Sequence, residues 1–302
     1  MRGKLFVHVD MDSIESISEV QGYNFKDENN RIFLSSVDNS LEFFETFGVI
    51  ATYFVVARDL EVPARMEAIK RIVAAGHNVA SHSYHHRFLR NLTKKEKVFE
   101  VVKSKEVLEE KLAKEVLGFR APSYSVDCDV LEALCQAGYK YDSSIFPNHK
   151  IRSTIKINRL FNEPFVIIPD HQLLELPMPA VEPFGLPFHP SYSFVFTRAW
   201  HKIGLHRFRK NSNYMTYLFH LADFSEKPRL ARTFSQYVYL NERSWKQKRR
   251  FLSAIFHQVL KFFLCVDTEE FVRNWPNSAP DLNPRTILGL SATHETSASI
   301  VR

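Results

Sequence analysis

Short apolar runs alternate with segments of helical periodicity through the first half of the chain. The apolar runs occupy residues 5–9, 50–57, 78–81, 116–119 and 139–141, and their lengths are typical of β-strands. The run at 50–57 is apolar at almost every position, which is the pattern of a strand buried on both faces of a parallel sheet. Strands that alternate with helices over short loops predict an α/β fold with a parallel sheet.

The segments between these runs carry helix starts and helix ends. Thr93 followed by Glu96 is a capping box, which opens a long charged helix ending near Leu112. Asp127 is placed to cap another helix, which Gly138 closes. Two further helices are predicted, one capped by Asp38-Asn39-Ser40 with a stripe of Leu41, Phe44 and Phe47, and one with a stripe of Met66, Ile69, Ile72 and Val73 before Gly76.

Polar side chains follow the ends of several predicted strands. Asp10 and Asp12 follow the first strand, His82 follows the run at 78–81, and Arg120 and Asp142 follow later runs. In barrels built from βα units, the carboxyl ends of the strands meet on one face, and active sites lie there. We therefore expect these side chains to converge.

The second half of the chain is less regular. Strands are predicted at 165–168 and 173–176, and an apolar run at 215–219 leads to His220. Residues 182–193 are rich in Pro, Gly and aromatic residues and predict a loop. We expect this loop and the aromatic residues beside it to shape a groove, namely Tyr192, Phe194 and Phe196.

The C-terminal part begins with a basic amphipathic helix. Ser244 is placed to cap it, and its Phe-rich stripe runs to about Leu264. Beyond Trp275 the chain holds three prolines and few core residues, so we expect 276–302 to be a poorly ordered tail. No repeat or linker divides the rest, and residues 1–275 are interpreted as one domain.

Composition and charge describe an ordinary globular protein. The 302 residues are 45% hydrophobic with a net charge of +6, and no motif for binding nucleic acid accompanies that charge. The three cysteines have no CxxC spacing, so a reduced, cytosolic protein is the simplest interpretation. The N-terminus has no signal-peptide pattern and no run of about 18 apolar residues occurs, so we expect the chemistry inside the cell or at the inner face of its membrane.

One acidic pair and one HxxxH pair suggest a metal centre. Asp12, His82 and His86 are the candidate ligands of a divalent ion with open coordination positions, which distinguish a catalytic site from a structural one. Asp10 is then left to accept a proton from the attacking water. HxxxH alone is a weak signal, because a surface helix produces it by chance; the carboxylates add to it.

Five segments in order resemble the motifs of the polysaccharide deacetylases with a NodB-homology domain (carbohydrate esterase family 4). Single motifs of this kind are weak, but five in order are specific. The segments are Asp10-Met11-Asp12, residues 76–86 with His82 and His86, residues 118–125 with Arg120, residues 138–147 with Asp142, and residues 174–177 followed by His220.

The resemblance implies a fold, an activity and a role for each residue. The fold is a distorted, incomplete (β/α) barrel, and the activity is metal-dependent hydrolysis of an N-acetyl group on an amino sugar. Asp12, His82 and His86 would bind zinc or a similar ion. Asp10 would be the general base, Arg120 its partner and His220 the general acid. In this scheme the N–H of Ser123 is the candidate oxyanion donor, and Asp142 is expected to orient the imidazole of His220.

Three departures from the family pattern concern the substrate. Met11 separates the two aspartates, Ser123 stands where a Tyr is usual, and Ile145-Phe146 replaces the usual Trp. We expect a precursor sugar of a cell-surface polysaccharide or lipopolysaccharide, linked to a lipid or a nucleotide. One alternative is a deformylase or another hydrolase of small C–N amides, and a second is an inactive sugar-binding protein.

The basic helix at 244–264 leaves two interpretations open. A helix of this kind can lie on an anionic membrane, which would suit a lipid-linked sugar. It can also cover an edge of the barrel with its apolar stripe.

Overall fold

The computed structural model describes residues 2–20, 22, 25–146, 162–181, 186–226 and 243–275. Its strands are β1 (Gly3–Asp10), β2 (Thr52–Val55), β3 (Asn78–Ser81), β4 (Gly118–Phe119), β5 (Tyr141–Asp142), β6 (Phe165–Ile168), β7 (Leu173–Glu175), β8 (Ala180–Val181), β9 (Leu186–Pro187), β10 (Tyr214–His220) and β11 (Phe263–Cys265). Its helices are α1 (Ile14–Val20), α2 (Arg31–Phe47), α3 (Pro63–Ala74), α4 (Lys94–Leu112), α5 (Cys128–Gln136), α6 (Pro190–Asn211), α7 (Trp245–Leu260) and α8 (Thr268–Arg273).

One curled sheet organises the molecule. Its strand order is β10-β1-β2-β3-β4-β5-β7-β6, and every pairing along this order is parallel except that of β6 with β7. β11 pairs with residues 3–5 of β1, and β2 pairs with residues 8–10 of the same strand. Within the described residues, β10 and β6 do not pair with each other, so the barrel stays open. The predicted incomplete (β/α) barrel is confirmed.

Alternation along β1 separates the outer core from the barrel interior. Leu5, Val7 and Val9 belong to the large apolar cluster between the sheet and the surrounding helices. Phe6 belongs to a smaller cluster inside the barrel, against which residues of α8 pack. Because successive side chains of a strand point to opposite faces, His8 shares the interior face with Phe6.

Three helix starts were predicted well, with Thr93, Asp127 and Ser244 as N-cap residues, and one was wrong. The capping box of Thr93 and Glu96 opens α4, and the carboxylate of Asp127 accepts from the Val130 N–H at the start of α5. The helix expected to begin at 38–40 begins at Arg31. The physical reason is a longer-range cap, since the carboxylate of Asp27 accepts from the N–H groups of residues 32 and 33 at 3.0 and 2.9 Å.

Two elements in the second half of the chain also differ from expectation. The predicted loop at 182–193 runs into α6, which starts at Pro190, and residues 182–185 lie outside the described part. The helix expected to reach Leu264 ends at Leu260, because the next residues leave it to pair with β1 as β11. The expected tail at 276–302 is outside the described residues as well.

The helix α7 covers the barrel and does not present a free apolar face. Its apolar stripe, including Leu252 and Phe256, is fully buried. Lys248 is also fully buried, and Arg249 pairs with Glu42 at 2.6 Å. Insertion into a membrane needs an apolar face, so the structure favours the edge-covering interpretation. Among the described helices, none has the length and apolar character of a membrane span.

Candidate active site

The strand β1 ends in two carboxylates that face the barrel interior. Asp10 is its last residue, and Asp12 follows beyond Met11, whose side chain is fully buried in the outer core. The N–H of Met11 donates to the carbonyl of Phe54 at 3.0 Å, which extends the strand geometry past Asp10. Since side chains alternate in extended backbone, the buried Met11 places the carboxylates on its two sides toward the same space.

The HxxxH segment after β3 is a tight turn and not a helix. His82 continues the strand, and its N–H donates to the carbonyl of Val55 at 2.8 Å. Ser83 and His86 both have a φ of 64°, a left-handed conformation that bends the chain back. The hydroxyl of Ser83 accepts from the His86 N–H at 3.0 Å and holds this bend. The two imidazole rings are thereby brought to a centroid separation of 5.0 Å.

Asp12, His82 and His86 form one ligand group. Oδ1 of Asp12 lies 3.1 Å from Nε2 of His82 and 3.0 Å from Nε2 of His86. One ligand atom from each residue lies within 4.8 Å of the other two. Two imidazole nitrogens and one carboxylate oxygen are the donor set of an open, catalytic metal site. These residues could therefore hold a divalent ion.

The surroundings of the three ligands fit a cation. Oδ1 of Asp12 is buried without a hydrogen-bond partner among the described residues. Burial alone would raise the pKa of Asp12, but attraction to the neighbouring imidazoles of His86 and His82 holds that pKa well below its ordinary value. Nδ1 of His82 lies 2.8 Å from the carbonyl oxygen of Arg120, so it carries the proton and leaves Nε2 as a lone-pair donor.

Arg120 fixes the second carboxylate. Its Nη1 donates to Oδ1 of Asp10 at 2.7 Å, while Oδ2 of Asp10 lies 3.9 Å from Nε2 of His82. The guanidinium is fully buried and stacks 4.0 Å above the ring centre of Phe54. Its Nε donates to the carbonyl of Ser143 at 2.8 Å, and its Nη2 donates to the hydroxyl of the same residue at 2.7 Å. One oxygen of Asp10 is thus held, and the other faces the ligand group.

His220 stands beside Asp10, because the two residues pair in register between β1 and β10. Nδ1 of His220 lies 3.1 Å from the hydroxyl oxygen of Ser191, which also donates to Asp223 at 3.0 Å. Asp223 accepts from the backbone N–H of His220 at 2.9 Å. Sequence reasoning missed both partners, although the spacing of His220 and Asp223 at the turn after β10 was a visible signal.

Comparison with known proteins finds relatives for part of the chain, including the segments that carry His82, His86 and Arg120. A model of the polysaccharide deacetylases matches residues 27–141, which include His82, His86 and Arg120. The chain is also 29% identical over 144 residues to the peptidoglycan deacetylase of Helicobacter pylori. Each of these matches covers less than half of the chain, and they show that this part of it is similar to the polysaccharide deacetylases. The match to the Helicobacter pylori protein covers 46% of this chain and 48% of the relative, so it spans about half the length of each protein.

Solved structures share the fold of this protein over most of the chain. A protein from Pseudomonas aeruginosa PAO1, described as a polysaccharide deacetylase, superimposes with a TM-score of 0.61 at 13% identity, covering 92% of both chains. Another from Mycobacterium smegmatis gives 0.60 at 17% identity over 89% and 88% of the two chains. An allantoinase gives 0.60 at 14% identity over 92% of both chains. At such low identities the likeness shows the fold alone.

Asp142 has partners other than the one expected for it in a polysaccharide deacetylase. Its Oδ1 accepts from the hydroxyl of Ser144 at 2.6 Å, and it pairs in register with Glu175 across β5 and β7. The carboxylate that contacts His220 and its hydroxyl partner is Asp223, so the expected pairing of Asp142 with His220 is corrected. The physical reason is position, because Asp142 follows β5 whereas His220 ends β10, on the other side of β1 in the sheet order.

The expected groove and oxyanion residues are only partly described. Phe194 is buried and stacks on Phe251 with ring centres 4.7 Å apart, so it belongs to the core and not to a groove. The side chains of Tyr192 and Phe196 lie outside the described part. Ser123 is exposed in the turn after Pro122 with a φ of 52°, and its role as an oxyanion donor stays a prediction.

Proposed function

We propose that this protein is a metal-dependent hydrolase that removes the N-acetyl group from an amino sugar. The observation that carries the proposal is the group formed by Asp12, His82 and His86, with the held carboxylate of Asp10 beside it. The similarity of residues 27–141 to the polysaccharide deacetylases, which hydrolyse N-acetyl amide bonds, supports this reaction class.

In this proposal Asp10 and His220 have complementary roles in amide hydrolysis, as general base and general acid. When bound, a divalent ion supplies Lewis-acid polarisation of the amide carbonyl and makes a neighbouring water more acidic. Asp10 takes the proton of the attacking water with the oxygen that faces the ligand group. Arg120 holds the other oxygen and keeps the carboxylate oriented. His220 gives a proton to the departing amine, which is a poor leaving group until it is protonated.

We further propose zinc as the ion. Two imidazole nitrogens with one carboxylate oxygen suit a borderline-soft ion, whereas magnesium and calcium prefer all-oxygen sites. The relative from Helicobacter pylori is a peptidoglycan deacetylase, which makes an N-acetylated cell-surface sugar or its lipid- or nucleotide-linked precursor the substrate class to test. Cys128, Cys135 and Cys265 are free thiols, which favours the reducing cytoplasm as the site of action.

Metal analysis and product analysis test this function together. The purified protein should contain one zinc ion per chain and release acetate from N-acetylated amino sugars or peptidoglycan fragments. Asp12→Ala should lose both the metal and the activity. Asp10→Asn should keep the metal but lose activity by a factor of at least about 100, the range of general-base effects.

The same assays separate the alternatives. Formate in place of acetate, or turnover of small C–N amides only, would identify the deformylase-like hydrolase. Bound zinc with affinity for acetylated sugars but no product on any acyl substrate would identify a sugar-binding protein. A wild-type protein that binds no metal would refute the proposal.

A further inference from the structure

A chain of hydrogen bonds connects the C-terminal helix α8 to the arginine that holds the catalytic carboxylate. Nη2 of Arg120 lies 2.7 Å from Nδ1 of His8, and Nε2 of His8 lies 3.2 Å from the hydroxyl oxygen of Thr268. Thr268 is the first residue of α8. All three side chains belong to fully or almost fully buried residues in the barrel interior. The chain therefore runs from the C-terminal segment through the barrel to Asp10.

The chemistry of the partners fixes the direction of each bond. A guanidinium only donates hydrogen bonds, so Nδ1 of His8 accepts from Arg120 and cannot carry a proton. The imidazole proton is then on Nε2, from which it is donated to the hydroxyl of Thr268. Burial, and after it the charge of Arg120, lower the pKa of His8 well below its ordinary value, which is consistent with a neutral ring.

The hydroxyl of Thr268 is not what attaches α8 to the barrel. Phe271, Val272 and Trp275 pack against the interior apolar cluster. The amide of Asn78 also donates to Asp267, the N-cap residue of α8, at 2.7 Å. The segment would therefore stay in place without the hydroxyl, which leaves the hydrogen bond to His8 as the distinct contribution of Thr268.

We propose that Thr268 and His8 are positioning residues, through which α8 holds Arg120 in the orientation that presents Nη1 to Asp10. Arg120 fixes the tautomer of His8, and the hydroxyl of Thr268 accepts from the Nε2–H of that tautomer and holds the ring where Nδ1 meets the guanidinium. With the other tautomer an N–H would point at a cation, and Arg120 would have to turn away. The catalytic part of this proposal rests on the hydrolase function proposed above, whereas the tautomer does not.

Nitrogen NMR of the zinc-loaded protein with ¹⁵N-labelled histidine tests the tautomer without any turnover. The signals of His8 are assigned by their absence in His8→Asn. In the wild type we expect a neutral ring protonated at Nε2. Thr268→Val removes the acceptor of the Nε2–H and should shift the Nε2 signal of His8, and Thr268→Ser should restore it. A wild-type ring that is charged or protonated at Nδ1 would overturn the proposal, as would signals unchanged in Thr268→Val.

Kinetics test the consequence for catalysis. Thr268→Val should lower kcat about three- to tenfold with little change in KM, less than the 10–100-fold typical of losing an outer partner of a metal ligand. His8→Asn, whose side-chain oxygen takes the place of Nδ1, should keep more activity than His8→Leu. The matched control is Asn78→Ala, which loosens the same segment without touching His8 and should leave kcat unchanged.

Equal losses of kcat in Thr268→Val and Asn78→Ala would mean that only the attachment of α8 matters, and this result would overturn the positioning role. If no variant and no wild type turns over acyl sugars, the function fails while the NMR result still decides the hydrogen-bond chain.

Discussion

Ser191 places a hydroxyl between an imidazole and a buried carboxylate. It donates to Asp223 at 3.0 Å, so it can accept at the same time from Nδ1–H of His220, 3.1 Å away. Asp223 is fully buried, and burial raises its pKa, although the neighbouring His220 opposes that rise. This arrangement orients the ring through Nδ1 and leaves Nε2 on the side away from the serine.

Replacing Ser191 by Ala should therefore weaken proton delivery to the leaving amine. We expect kcat on an N-acetyl sugar to fall roughly tenfold, a part of the 10²–10⁴-fold that general acid–base catalysis contributes. Metal content should not change. Ser193→Ala is the matched control, because that hydroxyl belongs to a buried residue two positions along and, among the described residues, donates to the carbonyl of His189. Equal activity of the two variants would contradict the role of Ser191.

Asp142 and Glu175 form a buried acid pair behind the site. Burial raises the pKa of both carboxyls, and for Glu175 the charge of Asp142 adds to the rise. Oδ2 of Asp142 and Oε2 of Glu175 have no other hydrogen-bond partner among the described residues, which suits one shared proton between them. Oε1 of Glu175 accepts from the N–H of Ile145 at 2.9 Å, so the pair also anchors the loop that follows β5.

The acid pair predicts a pH dependence of stability with a definite sign. Because the folded state binds these protons more tightly than the unfolded state, the free energy of unfolding falls as pH rises above roughly 4, the ordinary carboxyl range. Glu175→Gln replaces the shared proton with a permanent N–H donor. We expect this variant to be more stable than the wild type by about 1–2 kcal/mol at pH 8, with the difference shrinking toward pH 4.

Thermal unfolding between pH 4 and pH 8 checks this prediction. Glu67→Gln, an exposed change on α3, is the control and should give curves parallel to the wild type. A Glu175→Gln variant that is less stable than the wild type at pH 8 would show that the pair is ionised and satisfied by other groups.

At the scale of the elements, β4 delivers Arg120 and depends on a glycine. A β-carbon built on Gly118 would overlap the ring of Tyr141, its partner in the register of β4 and β5. Tyr141 is fully buried in the interior cluster. The ring of Tyr141 therefore packs directly on the backbone of Gly118, two residues before Arg120.

Gly118→Ala should destabilise the protein by about 1–3 kcal/mol, the usual cost of overpacking a core. A double-mutant cycle, with the free energy of unfolding measured in urea, tests whether the clash with the Tyr141 ring is the cause. Tyr141→Leu removes the ring and is itself destabilising, but Gly118→Ala should cost little more in that background. A cost that stays the same in both backgrounds would place the strain in the backbone of β4 and not in the contact with the ring.

The sequence predicted elements whose signals are local and missed those whose signals are distant. The start of α4 was visible because the residues of its capping box lie three apart. The start of α2 was not, because Asp27 caps it across two residues in left-handed conformation, Asn29 and Asn30. β11 was taken for the end of a helix, since its strand character comes from pairing with β1, which the local pattern does not contain.

The same distinction holds for the site. Asp10, Asp12, His82 and His86 were predicted as a group because each follows a strand end, and the structure places them together. The contacts of Ser191, Glu175 and His8 were not predicted, because their partners are far away in sequence. Each of these residues takes part in a hydrogen bond or acid pair between distant segments, which no local sequence motif contains.

At the scale of the whole molecule, the ligand group of Asp12, His82 and His86 brings together segments that are distant in sequence. Asp12 follows β1, which pairs with β10, β2 and β11. His82 and His86 follow β3, and Arg120 joins this group to β4 through the carbonyl that accepts from His82. An ion held here would link three strand ends of the open barrel.

Removing the ion should therefore lower the stability of the whole protein as well as its activity. A ligand that binds only the folded state at 100 times its dissociation constant stabilises it by about 2.7 kcal/mol. For a chain of this size that corresponds to a fall in Tm of several degrees on chelation, at roughly 2–4 °C per kcal/mol, and to recovery when zinc is restored. Neighbouring histidines provide the control. His86→Gln should abolish the zinc-dependent shift, whereas His85→Gln should retain it, because His85 pairs with Glu100 at 2.8 Å outside the ligand group. Equal zinc-dependent shifts in the two variants would mean that the stabilising ion sits elsewhere.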